Sequence, residues 1–210
     1  IVTEADMPSQ RLPTPMREHP GIALPPGRRV YAIGDMHGRR DLVLALFEAI
    51  GRDIEARPPE RACIVCLGDY IDRGPASRDV VDLLIEAPVD GADFVCLKGN
   101  HEQFMMRFAE TGEHAVDWVS NGGRETMLSY GVDDADDAIW DAERIAGSFR
   151  DAIPDAHWSF FESLPHSHRD GSLFFAHAGV DPDRALDDQQ AHDLMWIREG
   201  FLDCTRDLGA

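Results

Sequence analysis

The sequence predicts an α/β domain, on three observations. Four short apolar runs, at residues 29–33, 62–67, 94–97 and 173–176, have the length and composition of buried strands. Stretches with one-sided apolar spacing, the mark of amphipathic helices, separate the first three of them. Each run then stops at a cluster of residues able to hold a metal or a phosphate, and α/β sheets bind ligands where such strand ends converge.

Residues 1–28 carry Pro8, Pro13, Pro15, Pro20, Pro25 and Pro26 without periodicity, and are expected to form an arm outside a domain at 29–210. The strand at 29–33 ends in Gly34-Asp35-Met36-His37-Gly38, and a helix follows with Leu42, Ala45, Leu46, Ala49 and Ile50 on its expected core face. Pro58-Pro59 closes the loop before the strand at 62–67. That strand ends in Gly68-Asp69-Tyr70-Ile71-Asp72-Arg73-Gly74, where two carboxylates and an arginine arrive together between glycines. Pro75 sits near a helix start, where its missing N–H costs nothing, and Val80, Leu83, Leu84 and Ala87 form the next apolar face. The strand at 94–97 ends in Lys98-Gly99-Asn100-His101-Glu102 and leads into a helix whose Phe104, Met105, Phe108 and Ala109 are expected in the core. Residues 111–170 read as mostly helical, with turns at Asn121-Gly122-Gly123 and Tyr130-Gly131. The last strand ends in His177-Ala178-Gly179.

Several groups read as structural. The acidic cluster Asp133, Asp134, Asp136 and Asp137 lacks the EF-hand spacing and is expected to be a solvated loop or helix start. His114, His157, His166, His168 and His192 have no partners at ligand spacing and are expected at the surface or in packing. Cys63 and Cys66 stand at an odd offset on a strand, so their side chains point to opposite faces and serve core packing. The four cysteines suit a reduced, cytoplasmic protein, and neither a membrane span nor a signal peptide is visible. A net charge of −19 disfavours nucleic acid and anionic membranes as partners. A phosphorylated substrate must then be captured locally, by metals and a few arginines. The oligomeric state stays open.

Meeting at one crevice, the four strand ends would assemble Asp35, His37, Asp69, Asn100 and His177. These are oxygen and imidazole donors without a thiolate, a set that suits manganese, iron or zinc.

The series G-D-x-H-G, G-D-x-x-D-R-G, G-N-H-E and H-A-G, each after a strand, resembles the phosphoprotein phosphatase family of dinuclear metallophosphatases over about residues 29–200. It is most similar to the bacterial and phage serine/threonine phosphatases. The resemblance implies the calcineurin-like metallophosphatase fold, two mixed β-sheets in a sandwich flanked by helices. It implies that Asp35 and His37 hold one divalent metal, that Asp69 bridges two, and that Asn100 and His177 hold the second. It further implies that Asp72 and His101 form a hydrogen-bonded acid pair, and that Arg73 and Arg198 bind phosphate, alongside Asn100. The family carries one more histidine ligand in a later Gly-His segment; the sequence reaches Ala210 without it, and a chain cut short of that segment is the expectation.

The activity so implied is hydrolysis of a phosphate monoester, phosphoserine or phosphothreonine in a protein. A hydroxide held between two metals, manganese first among them, would attack in line while His101 protonates the leaving oxygen. Two other readings stay open: hydrolysis of dinucleoside polyphosphates such as diadenosine tetraphosphate, and non-catalytic phosphate binding. The related dinucleotide branch departs from the second Asp of G-D-x-x-D-R-G and the Glu of G-N-H-E, whereas Asp72 and Glu102 are both present here.

Overall fold

The computed structural model describes residues 24–133, 141–206 and 208. Strand β2 (Arg61–Cys66) is buried throughout after its first residue, as the centre of a sheet covered on both faces must be. Strands β1 (Arg28–Ile33) and β3 (Ala92–Cys96) flank it in parallel, with Ile33 and Cys96 both in register with Cys66. Parallel neighbours require crossovers, and α1 (Arg40–Ala56) and α2 (Ser77–Glu86) supply them. All three strands therefore release their next loops at the same edge.

Helix α3 (Asn100–Thr111) leaves that edge after β3. Then come α4 (Ala115–Trp118), a widened helical turn over Val119–Gly123, α5 (Arg124–Ser129), α6 (Ala142–Ala152) and α7 (Asp155–Ser163). The helices meet one face of the sheet in a core that includes Ile64, Cys66, Met105, Phe108, Trp118, Phe149 and Phe161. The other face offers Cys63, Val65 and Leu97 to Phe175, which belongs to the hairpin of β4 (Ser167–Asp170) and β5 (Leu173–Ala176). A short α8 (Ala191–Trp196) follows. Two sheets thus face each other with helices outside, one parallel and one antiparallel. Among the described residues no helix is long and apolar enough to cross a membrane.

Four local expectations change. In α1 the buried stripe is Val43, Phe47 and Ile50, while Leu42 and Leu46 are 56% and 41% exposed. Two apolar stripes overlap there, and the one carrying the large aromatic ring turns inward. Residues 167–170 form a strand rather than helix, because Ser-His-Arg-Asp acquires its extended form by pairing with β5 and shows no apolar pattern of its own. The turn expected at Asn121-Gly122-Gly123 is a helical path broken at one residue, Gly122, with φ +102°. A Cβ there would lie 2.5 Å from the backbone nitrogen of Arg73, so the position demands glycine. Phe104 faces the pocket described below as well as the core.

Of the expected arm, residues 1–23 lie outside the described residues, whereas Gly27 already accepts from the backbone N–H groups of Glu60 and Arg61. Asp134, Asp136 and Asp137 also lie outside them; Asp133 accepts from Arg124. Cys63 and Cys66 do face opposite sides of the sheet, each in a different apolar cluster.

Phe149 is fully buried, with ring centroids of Trp118, Tyr130 and Phe108 at 5.3, 5.8 and 6.3 Å. Phe149→Ala should lower the unfolding free energy by about 3–5 kcal/mol, read from urea denaturation. A loss below about 1 kcal/mol would contradict this packing.

Candidate active site

The loops at the shared edge adopt backbone angles that L residues seldom take. φ is +41° at His37, +56° at Asp69, +71° at Asp72 and +66° at Arg73. Such residues cost of order 1–3 kcal/mol each and persist only where their surroundings over-determine them. Here the surroundings are specific hydrogen bonds. The carbonyl of Asp69 accepts from the N–H groups of Met36 and His37, both at 2.9 Å, joining the loops after β1 and β2. The fully buried carboxylate of Glu102 accepts from the N–H groups of Asp69 (2.9 Å), Tyr70 (2.8 Å) and Gly99 (2.9 Å), joining the loops after β2 and β3. Those two loops run so close that a Cβ on Gly68, where φ is +106°, would sit 2.6 Å from the nitrogen of Gly99. The N–H of Asp72 reaches Thr126 Oγ1 at 2.8 Å, and that of Arg73 reaches the Gly122 carbonyl at 3.1 Å.

These constraints open a pocket of about 420 Å³ whose lining includes Asp35, Asp69, Arg73, Asn100, His101, His177 and Arg198. The Nε2 of His37 lies 3.7 Å from Asp35 and 3.9 Å from Asp69, and the Nε2 of His177 lies 3.5 Å from Asp69. Both rings turn their Nδ1 to a backbone carbonyl, His37 to Ile71 at 2.8 Å and His177 to Leu67 at 2.9 Å. That bond places the proton on Nδ1 and leaves the Nε2 lone pair facing Asp69, the orientation used by metal-ligating histidines. Asn100 Oδ1 is buried and has no hydrogen-bond partner. A buried acceptor left unmatched is costly, and a cation in the pocket would satisfy it. By distance, Asp69 belongs to two potential donor groups, one with Asp35 and His177 and one with His37 and His101. The donors of Asp35, His37, Asp69, Asn100 and His177 fit divalent metal ions, whereas His101 is held at Nδ1 by the Asp72 carboxylate.

Beside them sits the imidazole of His101, whose Nδ1 donates to Asp72 Oδ2 at 2.6 Å. The second oxygen of Asp72 accepts from Thr126 Oγ1 at 2.6 Å, and Trp118 Nε1 donates to Oδ2 at 2.9 Å. Burial pushes the Asp72 carboxyl up despite those donors. Burial pulls His101 down, but the bond to Asp72 and the charge of Asp69 outweigh it and hold the imidazole above its ordinary value. Arg73 spans the pocket floor, donating to the Nε2 of His37 at 2.7 Å and of His101 at 3.1 Å.

All nine residues singled out in the sequence therefore gather here, with Arg198 exposed on the rim. Trp118, Thr126 and the anchoring role of Glu102 were not anticipated. Glu102 was visible as part of a motif; Trp118 and Thr126 come from a helical stretch whose pattern signals only packing.

The profile of the calcineurin-like phosphoesterases matches residues 28–202. Serine/threonine-protein phosphatase 2 of Escherichia coli is 32% identical over 96 residues, covering 46% of this chain and 39% of that protein. Serine/threonine-protein phosphatase 1 of Salmonella typhimurium is 31% identical over 96 residues, with the same coverage. The chain thus spans about two fifths of the length of these relatives. A crystal structure assigned provisionally to a diadenosine tetraphosphatase superposes with a TM-score of 0.51 at 22% identity, over 79% of this chain and 57% of that one. At that identity the likeness speaks for the fold.

Burial, and then the charge of Asp69, push the Glu102 carboxyl up to about 7, against the three N–H groups that favour its ionised form. Glu102→Gln keeps one acceptor oxygen and turns an N–H₂ toward backbone donors. It should destabilise the protein by about 1–3 kcal/mol in urea unfolding, and because burial raises the folded pKa of Glu102 from 4.5 to about 7, the gap between wild type and variant should narrow as pH rises through that interval. An unchanged midpoint would show that the loops do not depend on this carboxylate.

Proposed function

The chain belongs to the calcineurin-like phosphoesterase family, and we propose that it hydrolyses phosphate monoesters, with phosphoserine or phosphothreonine in proteins as its substrate class. The observation that carries the reading is the pairing of an ordered His101–Asp72 dyad with an unmatched Asn100 Oδ1 in one pocket. Asp35, His37, Asp69, Asn100 and His177 would hold two divalent ions, with Asp69 serving both. The ions, manganese in this proposal, would supply positive charge against the phosphoryl oxygens and acidify a water.

The chain's own residues supply the rest. Arg73 and Arg198, both on the pocket lining, would grip phosphoryl oxygens through charge-assisted hydrogen bonds, which a planar guanidinium makes in pairs. Arg73 must release the Nε2 of His37 for that nitrogen to accept a metal. His101, held at Nδ1 by Asp72, can pass a proton from Nε2 to the departing alkoxide only after Arg73, which here donates to that nitrogen, has released it as well. Thr126 and Trp118 hold the Asp72 carboxylate, so the imidazole keeps one orientation through the transfer. A reduced, cytoplasmic setting is part of the same reading and suits the buried free thiols of Cys63 and Cys66.

Protein stripped by a chelator should lose phosphatase activity and regain it with manganese. Asp69→Asn should cost more activity than a change at Asp35 or His177, because its carboxylate stands in both donor groups. Undiminished turnover after verified metal removal would end the metal-dependent reading.

His101→Asn separates substrate classes, since an alkoxide needs a proton more than a phenolate or a nucleotide phosphate does. It should slow a phosphothreonine peptide by up to ~10²–10⁴-fold in kcat/KM, an aryl phosphate much less, and leave metal content unchanged. An intact enzyme that strongly prefers diadenosine tetraphosphate, or a variant equally impaired on all three, would remove phosphoproteins as the substrate.

A further inference from the structure

Away from the pocket, a second set of donors lies between the two sheets. Cys63 is the third residue of β2, toward the end of the strand opposite the pocket, and is 1% exposed. His168 and Asp170 alternate on β4, so both project toward the same side. One donor atom from each of Cys63, His168 and Asp170 lies within 4.8 Å of the other two. His168 Nε2 is buried without a hydrogen-bond partner, and its ring lies nearly parallel to Phe175, with centroids 6.1 Å apart. Asp170 is 5% exposed and accepts from Arg28 Nε at 2.5 Å through Oδ2. The expectation that His168 is simply surface or packing leaves that buried nitrogen unexplained.

We propose that Cys63, His168 and Asp170 form a second cation site, specific for a thiophilic divalent ion such as zinc, that ties the two sheets together. Thiolate, imidazole and carboxylate are the donors zinc accepts, and three protein donors leave a fourth position for water. Ideal tetrahedral donors at zinc distances stand about 3.3–3.7 Å apart, so donors up to 4.8 Å apart have to draw together by up to about 1.5 Å. Binding replaces the Cys63 S–H bond with a bond to the ion and releases the proton to solvent. Arg28 engages one oxygen of Asp170, fixing the carboxylate while its other oxygen remains for the ion. The guanidinium opposes a cation, but thiolate and carboxylate together offset two of the three positive charges. A cleft of about 240 Å³ lined by Pro25, Arg28, Glu60 and Asp170 opens to solvent at one of the three ligands, Asp170.

The test uses cobalt(II) as the probe on the intact chain, because thiolate ligation produces an intense near-ultraviolet charge-transfer band that oxygen and imidazole donors do not. The phosphoesterase pocket has no thiol on its lining, so the band reports this site whether or not the protein is a phosphatase. Cobalt titration should produce a band whose limiting intensity corresponds to one thiolate-bound ion per chain, whatever further cobalt the oxygen and imidazole donors of the pocket take up, and added zinc should abolish it. Cys63→Ser should remove it, His168→Gln should weaken cobalt binding at the band more than about tenfold, and Cys204→Ser should leave it intact. No band from folded wild-type protein, or a band that survives Cys63→Ser, overturns the proposal. Should Cys63→Ser fail to fold, an unchanged titration of His168→Gln overturns it equally.

Discussion

The buried carboxylate of Glu102 is the constraint on which the pocket rests. It sits at 0% exposure, and three backbone N–H groups from two loops satisfy it. Burying a carboxylate is expensive, and accepting several backbone donors is one of the few ways to stabilise its charged form. That expense yields geometry. Asp69 and Gly99 are drawn to one oxygen, so the loop after β2 and the start of α3 cannot separate. The Asp69 carbonyl then carries the loop after β1 through Met36 and His37. One side chain, directly or at one remove, thus positions three of the four strand ends.

The acid pair depends on the helical layer instead. Asp72 has a left-handed backbone and is 0% exposed, and Thr126 contacts both its N–H and its carboxylate. Trp118 is an aromatic core residue packed on Phe108 and Phe149, and its indole N–H ends on the same carboxylate. Packing in the helical core is therefore coupled to the orientation of His101. A cavity made at Phe149 would act on the acid pair through Trp118 without touching it.

What could be read from the sequence follows the range of the interactions. The strand ends were legible because apolar run, glycine and donor residues are contiguous, and the parallel sheet brings them to one edge without further information. Trp118 and Thr126 were not, because they contact Asp72 across 46 and 54 residues and their own surroundings show only an apolar helix pattern. Strand β4 is polar along its whole length and exists through its partner, so periodicity could not reveal it. The inward face of α1 was misread because Leu42 and Leu46 are as apolar as the residues that won. Side-chain bulk and the shape of the sheet decided in favour of Phe47, and neither is written in the spacing.

The electrostatics of the pocket differ from those of the chain that builds it. A net charge of −19 repels anions at long range, but salt screens such fields within about 8 Å at physiological ionic strength. Inside the pocket the carboxylates of Asp35 and Asp69 are balanced by the guanidiniums of Arg73 and Arg198, leaving little net attraction for a phosphate dianion. Dications at the Asp69 donor groups would tip that balance decisively, because a unit charge pair at 4 Å is worth about 4 kcal/mol at an effective dielectric of 20. Metal loading and phosphate capture are on this view one coupled event. Under the proposed function Arg73 would link them, since its guanidinium holds the two imidazoles and would exchange those bonds for phosphate as the site fills.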